Sequence, residues 1–196
     1  MKFKLRRANS FRVHFSFKWL CYCGILLLLY MLMVGGGGNS QGAAQWQPIL
    51  LIALAMAVAM RECNNELAVC VFGAVCGLVI DIASANLFGF SGIWLLPGCL
   101  TVSLLSSHLI KANLLNYIWL NALMCAVMAA ADYFFNYALW DTAGHNFILT
   151  DFIIPAYLAT IVFSPLLYLA VRGISRRFTL RESVKPYSNE NESNGT

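Results

Sequence analysis

Residues 73–93, "GAVCGLVIDIASANLFGFSGI", decide how this chain is read. Gly73, Gly77 and Asp81 recur every four residues, so on a helix they share one face. Gly73 and Gly77 form a GxxxG pair, which lets a second helix backbone come close. A carboxylate inside a membrane span is costly and turns towards protein or a water-filled cavity. The stretch therefore predicts a membrane helix whose small-residue face, ending in Asp81, packs on a neighbour.

The rest of the chain agrees with a membrane setting. Of its 196 residues 60% are hydrophobic and 11% charged, against about 25% charged in a soluble domain. Crossing a hydrocarbon core of about 30 Å takes about 20 mostly apolar residues. Six stretches come near that length: Trp19 to Val34, Trp46 to Met60, Leu67 to Ala83, Gly92 to Ile110, Leu114 to Trp140 and Phe147 to Val171. The expected fold is all-α, a polytopic bundle of six transmembrane helices over residues 19–171. A basic N-terminus, 1–18, precedes it and a basic then polar tail, 172–196, follows it. A cleavable signal peptide is the competing reading of the basic start and first apolar run. The length of the basic region and the lack of a small-x-small site before the tetraglycine favour an anchor helix.

With six spans, residues 1–18, the loop near Arg61, the loop near Lys111 and the tail lie on one side. They carry 6, 1, 1 and 5 Lys or Arg, all 13 in the chain, and the opposite loops carry none. The positive-inside rule then puts both termini in the cytoplasm. The formal net charge of +4 thus reflects juxtamembrane anchoring, since the basic residues flank apolar helices and are not interleaved with exposed aromatics. Nucleic acid is not an expected partner. The seven cysteines show no CxxC or Cys/His spacing for zinc and read as small apolar filler.

In the fifth span Asn121, Cys125, Ala129, Asp132 and Asn136 advance by four, four, three and four. They form one polar, small stripe that should face the bundle interior. Asp151 opens the sixth span, where the first-turn amides favour an acid, and His145 is the nearest cationic candidate in the preceding loop. On this topology Asp81, Asp132 and Asp151 lie in the outer half of the membrane, with no Lys or Arg in any span to pair with them. They either bind a cation, relay protons or recognise a partner helix, or they accept hydrogen bonds and hold the bundle together. Pro97-Gly98 marks a kink or break in the fourth helix. GxSxG, HExxH, Walker and GxGxxG motifs are missing, which speaks against an enzyme; neither a metal nor a cofactor is expected.

Pro48 opens an apolar helix in "QPILLIALAMAVAM", "RECNNE" with Glu66 is a short acidic loop, and Gly73, Gly77, Asp81 and Gly89 follow. This arrangement, over residues 46 to about 110, resembles MreD, the rod shape-determining membrane protein family. The resemblance implies a non-enzymatic component of the bacterial elongation machinery in the cytoplasmic membrane, binding MreC and working with MreB, RodA and a class B penicillin-binding protein in lateral peptidoglycan synthesis. It also implies similarity in fold to the substrate-binding S components of energy-coupling factor vitamin transporters. As an S component, the chain would instead hold a small ligand between Asp81, Asp132, Asn136 and Trp94. Many S components carry Ala-x-x-x-Ala on the first helix, and Trp19 to Val34 contains no alanine.

Overall fold

The computed structural model describes residues 2–36, 49–63, 65–84, 88–109, 112–135, 150 and 153–183, with the side chains of 17–35 in the first helix and of the last helix up to 177. The described residues contain six α-helices and no strand: α1 (Lys2–Gly36), α2 (Leu50–Arg61), α3 (Glu66–Ser84), α4 (Phe90–His108), α5 (Leu114–Tyr133) and α6 (Ile154–Ser183). Five segments are long and apolar enough to cross a membrane: Phe17–Gly35, Glu66–Ser84, Phe90–His108, Leu114–Tyr133 and Ile154–Arg177. Large apolar side chains point away from the bundle along these helices, among them Leu28, Ile93, Trp119 and Val162. Such a surface suits hydrocarbon, where lipid replaces water as the solvent.

The second helix departs from the sequence expectation. Residues 46–48 of the predicted span lie outside the described residues, and α2 has 12 residues. At about 1.5 Å per residue that is about 18 Å, short of a hydrocarbon core of about 30 Å. Every residue from Leu51 to Met60 is buried. A helix apolar on all sides belongs inside a bundle, and α1, α3, α4, α5 and α6 all pack against α2. So α2 is the internal axis, and lipid faces the five longer helices.

Contacts fix the two ends. At one, Lys18 pairs with Glu62 and Arg61 lies over the Tyr168 ring, so α1 enters and α6 leaves the bundle at the same end. This basic end also holds Ser106, whose hydroxyl donates to the Met60 carbonyl. At the opposite, acidic end lie Asp81 and Asp132, and the Ile49 amide donates to Thr160 Oγ1 at 2.8 Å. The α4 helix runs unbroken through Pro97, so this proline does not end the helix. Alpha1 continues as helix back to Lys2, through the basic N-terminal segment.

Candidate functional site

Two helices, α3 and α4, approach each other backbone to backbone. A Cβ on Gly77 would collide with the Gly92 backbone, and one on Gly73 would come within 2.7 Å of Cys99 Sγ. Glycine is needed here because only hydrogen separates the two helices. One turn beyond Gly77, Asp81 is 1% exposed and turns to the start of α4. The Gly89 N–H donates to its Oδ2 at 2.8 Å, and the Ser91 N–H donates to Oδ1 at 3.0 Å. The first amides of a helix lack intrahelical partners and carry the positive end of its dipole. Gly89, the N-cap residue, has φ +91° and no side chain with which to cap. Asp81 supplies that cap from the preceding helix. Gly73, Gly77, Asp81 and Gly89 therefore form one joint, and the face that the sequence offered for helix packing or for a partner is turned onto α4 within the chain.

The α5 stripe points inward as its spacing predicts. Asn121 and Cys125 are buried, Ala129 and Asp132 half-buried, and Asn136 lies outside the described residues, as do His145 and Asp151. Facing the stripe, α6 carries Tyr157, Thr160, Ser164 and Tyr168, all buried and spaced three, four and four. Tyr117 stacks on Tyr168 with ring centroids 4.8 Å apart. The Tyr117 hydroxyl donates to the Ala53 carbonyl and the Tyr168 hydroxyl to the Ala112 carbonyl, both at 2.8 Å. Both amide atoms of Asn121 are buried without a hydrogen-bond partner. At the acidic end the seam opens into a polar cavity of about 210 Å³ lined by Ile49, Ile80, Ser84, Phe90, Ser91, Met128, Asp132 and Tyr157.

A second cavity, of about 360 Å³, is a groove between α4 and α5. Its walls include Trp94, Pro97, Gly98, Leu123 and Val127, and Met56 of α2 is its floor. Thr101 is its hydroxyl-bearing residue, and that hydroxyl donates to the Gly98 carbonyl. Trp94 thus lines the apolar groove while Asp132 lines the polar cavity. Asp81 is committed to the α4 amides, so the structure does not gather these three residues into one pocket.

Sequence reasoning missed a cluster at the basic end. It singled out Glu66, which is exposed, whereas Glu62 in the same loop is 8% exposed. The Glu62 carboxylate pairs with Lys18 and accepts the Tyr22 hydroxyl at 3.0 Å. Trp19 and Phe72 meet edge to face at 5.8 Å, closing α1 over α3. The available signal was the adjacency of an acid to Arg61 at the end of an apolar helix, with Lys18 at the head of another.

No group of three or more His, Cys, Asp or Glu side chains suited to a metal occurs among the described residues, and the cysteines described are free thiols. Among the described residues, five long apolar helices around a buried sixth define a multi-pass helical membrane protein. The chain matches no protein-family model, no curated protein and no solved structure.

Proposed function

We propose that this protein is a membrane scaffold of the MreD type, binding MreC in the bacterial elongation machinery alongside MreB, RodA and a class B penicillin-binding protein. It would sit in the cytoplasmic membrane with both termini in the cytoplasm and shape lateral peptidoglycan synthesis by recognition and not by catalysis. The observation that carries this reading is the α3–α4 joint. Four of the six residues behind the resemblance, Gly73, Gly77, Asp81 and Gly89, act together as one structural device. Among the described residues Lys18 and Arg61 lie at the end where α1 enters and α6 leaves the bundle, which supports the topology.

The apolar groove between α4 and α5 offers a seat for the single membrane span of such a partner, since association of helices in lipid rests on close packing and not on the hydrophobic effect. The S-component reading loses support because Trp94 and Asp132 line different cavities. Affinity purification of the tagged chain in mild detergent, followed by mass spectrometry, tests the proposal. Recovery of an MreC-like single-span protein or of peptidoglycan polymerases is expected. Recovery of ATPase subunits or a tightly held vitamin would overturn it.

A further inference from the structure

We propose that the polar seam between α2, α5 and α6 holds bound water at Asn121, in the interior of the bundle. Asn121 is 0% exposed, and both its amide oxygen and its amide nitrogen lack a hydrogen-bond partner. An amide offers two donors and an acceptor with two lone pairs, and interiors satisfy such groups with protein partners or ordered water. The chemistry around it suits water. The hydroxyls of Tyr117 and Ser164 donate to the carbonyls of Ala53 and Ile161, and Tyr117 stands one helical turn from Asn121 on the same face. With their protons on carbonyls, these hydroxyls offer acceptor oxygens along the same seam, and water brings a lone pair for the Asn121 amide N–H and a donor for its Oδ1.

A polar cavity lies further along the same helix face: Asn121, Cys125, Met128 and Asp132 advance by four, three and four along α5, and the last two line it. That cavity of about 210 Å³ exceeds the roughly 30 Å³ share of one liquid water several times. The same seam is lined on α6 by Tyr157, Thr160 and Ser164.

The test is hydroxyl-radical footprinting by X-ray radiolysis of the full chain in lipid nanodiscs, where internal water generates the radical beside buried side chains. Tyr117, Cys125 and Met128 are expected to be modified much faster than Cys99, which is as deeply buried but lies at the α3–α4 joint. Asn121→Leu should abolish that labelling and lower the thermal midpoint, while Asn121→Ser should retain labelling. The proposal is overturned if Tyr117 and Cys125 of the unaltered protein label no faster than Cys99. It is equally overturned if Asn121→Leu raises the thermal midpoint, the result expected of an amide stranded in a dry core. No partner protein enters the measurement, so its outcome is independent of the scaffold reading.

Discussion

Gly77 of α3 lies directly against Gly92 of α4, backbone to backbone, with no room for a Cβ between them. The atoms that a new methyl would meet are the Gly92 Cα and amide nitrogen and the Ser91 carbonyl carbon. Backbone cannot rotate out of the way as a side chain can, so Gly77→Ala must push the two helices apart. Overpacking of this kind costs about 1–3 kcal/mol, and thermal unfolding in detergent should register it. At Gly73 the nearest atom is Cys99 Sγ, at 2.7 Å. Gly73→Ala should therefore cost less, and Cys99→Ala should recover part of its loss while leaving the Gly77→Ala defect unchanged. Equal losses for the two alanines, with no recovery at Gly73, would contradict this contact geometry.

Asp81 reports on the same joint through hydrogen bonds. Asp81→Ala leaves the Gly89 and Ser91 amides without their acceptor, and a stranded buried donor costs about 1–3 kcal/mol. Asp81→Asn keeps one acceptor oxygen and should fall between the alanine variant and the unaltered protein. Hydrogen exchange at the start of α4 is the second readout: the Gly89 and Ser91 amides should lose protection in Asp81→Ala, while amides at the centre of α4 stay protected. An unchanged exchange rate at Gly89 would show that the cap is not needed.

The cluster at the basic end yields to a double-mutant cycle. Lys18 and Glu62 are 16% and 9% exposed at the side chain, and removing one partner of a buried pair costs about 3–5 kcal/mol because the other is left uncompensated. Partial exposure puts Lys18→Met nearer the low end. Lys18→Met combined with Glu62→Gln should recover most of the loss, since the glutamine still accepts the Tyr22 hydroxyl that the glutamate accepts. Additive losses would mean that the two side chains act independently.

Legibility in the sequence followed the range of the interactions. The α3 face was readable because Gly73, Gly77 and Asp81 repeat at helical spacing and a carboxylate in a span must find a partner. Which partner was not readable, since the Gly89 and Ser91 amides become available only once α4 starts beside Asp81. The α5 stripe was readable for the same reason of spacing. Its counterpart on α6, Tyr157, Thr160, Ser164 and Tyr168, has equally regular spacing but no charge to draw notice. The interior place of α2 was hidden because an apolar run shows only that water is excluded, and both lipid and neighbouring helices exclude it. The sequence offered Trp94 and Asp132 to one pocket, whereas in the fold Trp94 lines the groove and Asp132 the polar cavity.

The groove between α4 and α5 gives the scaffold reading its sharpest test. A large side chain at Val127, which is exposed and lines the groove, would occupy the space a partner helix needs without disturbing the α3–α4 joint. Val127→Trp should leave the stability of the isolated chain within about 0.5 kcal/mol of its starting value, as surface substitutions do, while co-purified partner falls about tenfold, equivalent to about 1.4 kcal/mol of binding. Leu166→Trp, placed on the exposed side of α6, controls for bulk alone and should leave recovery unchanged. Helix pairing in lipid draws its energy from close contact over a shaped surface, so filling the groove and adding bulk elsewhere should differ sharply. If both variants recover the partner equally, it docks on another face of the bundle, and the exposed side of α1, with Leu27, Leu28 and Met31, becomes the next surface to block.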